Sequence, residues 1–217
     1  MMHHRSDVRH DIWPAILVAT TNAGKLPEIA HALEGAPVRL LTLADVPPVP
    51  EPDETGTSFA ENALIKARSY AASTGLPTVA EDSGLVIDAL DGRPGIHSAR
   101  YAGATYADKF ANLYRELAPH PKPWTARFVC ALAFVATDEA AQDGAPADFA
   151  CEGTVEGEIA AGPRGQRGFG YDPIFFHPPS GATLGEVDAD RKRAVSHRGA
   201  AFRQLRAWLL AGPAGRT

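Results

Sequence analysis

Apolar residues recur along this chain in several rhythms, and each rhythm predicts an element. The run Ala15-Ile16-Leu17-Val18-Ala19-Thr20 is continuous, as in a strand buried on both faces. After the short loop Thr21-Asn22-Ala23-Gly24-Lys25, the residues Leu26, Ile29, Ala30 and Leu33 fall at helical spacing. Pro27 suits the first turn of that helix and Gly35 its C-terminal stop. Between Asp45 and Asp53 the prolines 47, 48, 50 and 52 predict an extended surface segment that delivers Glu51, Asp53 and Glu54 to the start of the next helix. Ser58 and Glu61 have capping-box spacing, and Ala60, Ala63, Leu64, Ala67 and Ala71 then repeat on one face until Gly75 and Pro77. Small residues on that face predict close packing against a sheet.

Residues 78–81 and 85–90 predict two short strands flanking an acidic turn, the second closed by Asp91-Gly92. Tyr106, Phe110, Leu113, Tyr114 and Leu117 mark an amphipathic helix, and 126–136 is a long apolar strand. Its expected partner is 149–159, where odd positions are apolar and Glu152, Glu156 and Glu158 are even, as a half-exposed strand requires. The linking segment 137–147 is small and polar. A last helix runs from about 197 to 210, with Phe202, Leu205, Trp208 and Leu209 inward and Ser196 as N-cap. No repeat interrupts this order, and strands of hairpin and crossover type mixed with helices predict an α/β fold with a mixed sheet.

Composition narrows the function classes. A chain of 217 residues, 45% of them hydrophobic, builds one domain with ample core. Its formal charge of −5 gives no general attraction to nucleic acid or an anionic membrane, so any phosphate site is a local basic cluster. No apolar stretch approaches the ~20 residues of a membrane span, and the first residues lack the apolar core of a signal peptide, so a cytoplasmic location is expected. Cys130 and Cys151 read as small buried hydrophobes, both reduced. His3, His4 and His10 lie in an N-terminal extension, residues 1–13, expected to be disordered.

Four segments carry chemistry. In Glu81-Asp82-Ser83-Gly84, two acids and a hydroxyl at a strand end form an oxygen-rich corner suited to a hard cation such as Mg²⁺, although Asp-Ser-Gly is also ordinary turn composition. The loop Thr20-Thr21-Asn22-Ala23-Gly24-Lys25 joins a strand to a helix start, where free N–H groups and Lys25 favour a phosphate, without Walker A spacing. In Gly168-Phe169-Gly170-Tyr171-Asp172-Pro173, an aromatic held between glycines offers a face for a nucleobase, unless both rings plug the core. Further on, Arg191-Lys192-Arg193 and then His197-Arg198 place positive charge near a helix start, where the macrodipole disfavours it and an anion or acceptor must offset it.

Taken together, Thr20-x-Asn22-x-Gly24-Lys25, Glu81-Asp82-Ser83-Gly84, Gly168 to Pro173 and Ser196-His197-Arg198-Gly199 resemble the inosine triphosphatase family, the Ham1-like or RdgB-like purine nucleoside triphosphate pyrophosphatases. Phe59-Ala60-Glu61-Asn62-Ala63 and Gly95-Ile96-x-Ser98-Ala99-Arg100-Tyr101 extend the resemblance over about 14–210, leaving 211–217 as a tail. It implies hydrolysis of dITP, ITP and XTP with Mg²⁺ by a homodimer whose two lobes enclose a cleft floored by an elongated sheet. It further implies Asp82 as catalytic base, Asp82 and Glu54 as metal-side carboxylates, and Ser83, Lys25 and Lys192 as substrate and phosphate contacts. Residues 20–25 would form the phosphate loop, Phe169, Gly170, Tyr171 and Asp172 the base-binding loop, and His197 and Arg198 the purine's polar edge. Thr21 stands where many members have glycine, and Glu81 where some have aspartate. Competing readings are a nucleotide-binding module without turnover, disfavoured by acids crowded beside a phosphate loop, and a single-stranded RNA binder, disfavoured by the charge of −5.

Overall fold

A computed structural model describes residues 15–137 and 148–211. The N-terminal extension, most of the polar linker and the C-terminal tail beyond Ala211 lie outside the described residues. Seven strands form one mixed sheet: β1 (Ala15–Ala19), β2 (Arg39–Thr42), β3 (Thr78–Ile87), β4 (Thr125–Val135), β5 (Asp148–Ile159), β6 (Phe175–His177) and β7 (Ala182–Thr183). Their spatial order is β2-β1-β3-β4-β5-β6-β7. Strand β1 runs parallel to β2 and β3, and every later pairing is antiparallel. Among the described residues, five α-helices accompany the sheet: α1 (Leu26–Ala32), α2 (Phe59–Thr74), α3 (Tyr106–Leu117), α4 (Ala189–Val195) and α5 (His197–Ala211). None is long and apolar enough to cross a membrane among the described residues.

The period of two along a strand sorts the core into layers. Ile16, Val18, Val79 and Leu132 face α1 and α5, where Ile29, Leu33, Phe202 and Leu205 cover them. Leu17, Ala19, Ala80 and Ala131 face α2. That contact is close because α2 presents Ala63 and Ala67, both fully buried. A third cluster fills a second lobe, where Leu85, Ile87, Phe128 and Val155 meet α3 through Phe110, Leu113 and Leu117. Each such buried side chain contributes roughly 1.5–3 kcal/mol. The long strands β3, β4 and β5 run through both lobes and hold them in one frame.

Two expectations are corrected, one by the strand ladder and one by the hydrogen bonds at the start of α2. Residues 78–87 form one strand, with no turn at Asp82-Ser83-Gly84, because all ten positions pair with β4 from Thr78↔Val135 to Ile87↔Ala126. Gly84 is there for space: a Cβ would lie 2.4 Å from Ser98 Oγ and 2.5 Å from the Gly95 carbonyl oxygen. The capping box at α2 is also only half made. Ser58 Oγ accepts from the Glu61 N–H at 3.2 Å, but the Glu61 carboxylate turns to the Thr57 N–H and hydroxyl. Strand β2, helix α4 and the short strands β6 and β7 carry no periodic signal of their own and were not anticipated. Adding a methyl group at Gly84 should force Ser98 and its loop away, so Gly84→Ala is expected to cost about 1–3 kcal/mol in denaturant unfolding. A midpoint unchanged from the parent would show that the approach is not tight.

Candidate active site

Strand β1 pairs with β3 only as far as Ala19↔Ala80. Beyond that point the chain turns into the Thr20–Lys25 loop, and one edge of β3 from Glu81 onward has no strand beside it. A cleft of about 510 Å³ opens there, at the carboxyl end of a parallel pair where α/β sheets characteristically bind ligands. The loop is shaped by its own side chains: Asn22 Oδ1 accepts from the Gly24 N–H at 3.0 Å, and Thr20 Oγ1 from the Asn22 N–H at 3.2 Å. Thr21 donates to Glu51 at 3.3 Å, tying the loop to the proline-rich segment.

Glu81 and Asp82 do not form one corner, because neighbouring strand residues point to opposite faces. Glu81 faces α1 and α5, where Lys25 pairs with it directly and Arg198 stands 3.7 Å away. Burial pushes its carboxyl up, but Lys25 and Arg198 together hold it far below the usual carboxylate range. Cys130 donates its thiol hydrogen to Glu81 at 3.3 Å, and burial raises that thiol well above its usual range. Both cysteines are free, as expected.

Asp82 faces α2. Lys66 Nζ donates to Asp82 Oδ1 at 3.1 Å and to Glu54 Oε1 at 2.8 Å, while Asn62 Nδ2 donates to Asp82 Oδ2 at 3.2 Å. The two carboxylates expected on the metal side therefore converge, and the group they share here is an ammonium. Burial raises the Asp82 carboxyl, and the pull of Lys66 only partly offsets it. For Lys66, burial acts downward but Asp82 and Glu54 outweigh it, so the amine is held in its charged form. Among the described residues, no three acid, imidazole or thiol groups are clustered as a ready-made metal cage.

A second pocket, about 110 Å³, adjoins the first and shares Asn22, Lys25, Ser83 and Ala99 with it. Its wall is the half-buried ring of Phe169, with Lys192 Nζ 4.4 Å and the Arg198 guanidinium carbon 5.6 Å from the ring centre. The ring is held in place because Asp172 accepts from the Phe169 N–H at 2.7 Å, and Gly168 at φ +74° lets that carboxylate approach. Lys192 binds Asp172 at 2.6 Å and Glu28 at 3.0 Å; Arg198 binds Glu28 at 2.9 Å and Ser83 Oγ at 3.0 Å. These acceptors supply the offset that basic charge at a helix start requires. Lys192 itself sits in α4, ahead of the helix that carries His197, and lines this pocket and not the larger cleft. Tyr171 is a plug, buried edge-on to Tyr106 with its hydroxyl donating to the Ser98 carbonyl at 2.8 Å. His197 stacks on Phe128 at 4.9 Å, and burial holds its imidazole well below its usual pKa.

Sequence reasoning passed over Lys66, Asn62, Glu28 and Arg100. Asn62 and Lys66 were legible in principle: they are four apart and flank Ala63 and Ala67 on the sheet-facing row of α2, where a polar residue needs a buried partner. Arg100 lies in the Gly95–Tyr101 segment that carries the resemblance but was assigned no role there, and Glu28 gave no sign.

The Ham1 family model matches residues 16–208, and the chain belongs to that family. It is similar to proteins named dITP/XTP pyrophosphatase from Geobacter sulfurreducens, 47% identical over 88% of this chain and 94% of that one, and from Geobacillus kaustophilus, 45% identical over 93% and 98%. Among solved structures, a HAM1 protein from Coxiella burnetii superposes with a TM-score of 0.80 at 41% identity, covering 91% of this chain and 99% of that one. A nucleoside-triphosphatase/dITP/XTP pyrophosphatase from Mycobacterium abscessus gives 0.70 at 45%, covering 90% and 98%.

His197 makes a pH prediction. Its folded pKa lies well below the ordinary 6.5, so below pH 6.5 the unfolded chain takes up a proton that the folded one refuses. Its contribution is present above pH 6.5 and is lost on acidification, at up to about 1.4 kcal/mol per pH unit. His197→Gln should flatten the fall of melting temperature between pH 7 and 5; an unchanged slope would place the acid sensitivity elsewhere.

Proposed function

We propose that the chain hydrolyses dITP, ITP and XTP to the monophosphate and pyrophosphate as a cytoplasmic homodimer, a reading supported by relatives named dITP/XTP pyrophosphatase. The observation that carries this reading is one groove with two chemistries. Its larger part is lined by carboxylates and amines; its smaller part is an aromatic pocket with buried cations, and Asn22, Lys25, Ser83 and Ala99 join them. A purine at Phe169 would set its phosphates along that shared wall.

At the base end Phe169 stacks, while His197 and Arg198 line the same pocket, with Arg198 Nε and His197 Nδ1 buried without a partner. Hypoxanthine and xanthine offer a 6-keto acceptor to the Arg198 donor, whereas adenine offers a competing amino donor, a contrast that can reach about 10⁴-fold in kcat/KM. Asp172, Gly170 and Tyr171 shape that pocket, with Lys192 beside them. At the other end the 20–25 loop, through the backbone N–H groups that its internal bonds leave open, receives phosphate oxygens together with Lys25 and Ser83. Asp82, made more basic by burial and kept ionised by Lys66, takes the proton of the attacking water.

The donor set also fits a hard divalent cation. Asp82 and Glu54 present carboxylate oxygens to the same cleft, with Glu51 and Asp53 on its wall and no sulfur or imidazole ligand competing. We assign Mg²⁺ to Asp82 and Glu54; when bound it supplies Lewis-acid neutralisation of phosphate charge.

A nucleotide panel in ¹⁸O-water tests the reading. ITP, dITP and XTP should yield pyrophosphate and a labelled monophosphate, ATP should be poor, and Asp82→Asn should lower kcat by ~10²-fold or more. Orthophosphate as first product, or label in pyrophosphate, would overturn it. For the assembly, light scattering should report about twice the 23.0 kDa of the chain, as a two-fold dimer requires; a monomer mass would reject it.

A further inference from the structure

Three basic side chains line the larger cleft, and they are not equivalent. Lys25 is 17% exposed and paired with Glu81; Lys66 is 11% exposed and held between Glu54 and Asp82. Arg100 is 58% exposed and, among the described residues, forms one ion pair, to Glu54 Oε2 at 3.2 Å. Breaking that contact strands nothing, since Lys66 keeps the other Glu54 oxygen at 2.8 Å. Exposed pairs of this kind are weak and readily exchanged.

The backbone that carries Arg100 is by contrast fastened on both sides. The Ser98 carbonyl accepts from Tyr171, the Ala99 carbonyl accepts from Lys109 at 2.5 Å, and the Tyr101 hydroxyl donates to Glu116. The guanidinium is thus a movable fork on a fixed post, suited to bidentate contact with phosphate oxygens. Its place along the groove is also defined. Ala99 borders both pockets, but Arg100 and its partner Glu54 border only the larger one, so they lie beyond the shared wall as counted from Phe169.

From this arrangement we infer that Arg100 exchanges Glu54 for the terminal phosphates of the substrate and holds the departing pyrophosphate. The inference rests on the function proposed above, and deepens it by naming a group for the leaving end.

The test is calorimetric binding of inorganic pyrophosphate and, separately, of IMP to the parent, Arg100→Gln and Arg100→Lys, with pyrophosphate release from ITP followed alongside. Arg100→Gln should weaken pyrophosphate binding about tenfold or more, the scale of one lost charge-assisted contact, and leave IMP binding within about twofold. The same variant should lower kcat/KM for ITP by a comparable factor, with Arg100→Lys recovering part of both. Equal weakening of pyrophosphate and IMP would mark Arg100 as merely structural and overturn the inference, as would pyrophosphate binding equal to the parent's or absent from it. A parent that binds pyrophosphate through Arg100 yet does not turn over ITP would sink the proposed activity while leaving this assignment standing.

Discussion

The uninterrupted pairing of β3 with β4 is the constraint on which the site depends. Because the ladder continues through Asp82, Ser83 and Gly84, alternation sends Glu81 to one face of the sheet and Asp82 to the other. Each acid must then find cations from a different helical layer: Lys25 and Arg198 for Glu81, Lys66 for Asp82. Had the strand broken into a turn, both carboxylates would have faced water and needed no partner. Because β1 stops at Ala19, this charged stretch of β3 lies along an open edge.

Buried ion pairs are poor sources of stability, since desolvation consumes most of the Coulomb gain. Yet Glu28, Glu81, Asp82, Asp172, Lys66, Lys192 and Arg198 are all buried around one groove. They balance locally, with Arg198 and Lys192 sharing Glu28, and Lys66 shared by Asp82 and Glu54. Such a network holds its members in fixed positions, which is what a site preorganised for an anionic ligand requires. Lys66, bridging two carboxylates, keeps that wall near balance until phosphate arrives.

Membership in the Ham1 family and the mixed α/β architecture were legible because they rest on local patterns. The continuous run at β1, the small-residue face of α2 and the odd-even alternation of β5 each state which surface is buried. The misreading at Asp82-Ser83-Gly84 has a physical cause: turn composition reports the backbone freedom of the residues, whereas pairing is decided by β4, more than forty positions away. The plug role of Tyr171 was one of two readings left open, and its burial, its edge-on contact with Tyr106 and its hydroxyl on the Ser98 carbonyl separate it from the half-buried Phe169.

By itself, then, the sequence determined most of the longer elements, the sheet's apolar faces and the residue types that gather at the phosphate loop, the acidic strand and the aromatic loop, since periodicity and composition act over a few residues. Tertiary structure alone decided the pairings: that Lys66 stands between Asp82 and Glu54, that Glu28 anchors both Lys192 and Arg198, and that Arg100 reaches into the cleft with most of its surface free. Charge partners are chosen by distance in space, and Glu28 and Arg198 are 170 positions apart in the chain. No local pattern encodes that separation; the packing of α1 and α5 on one face of the sheet brings it to 2.9 Å.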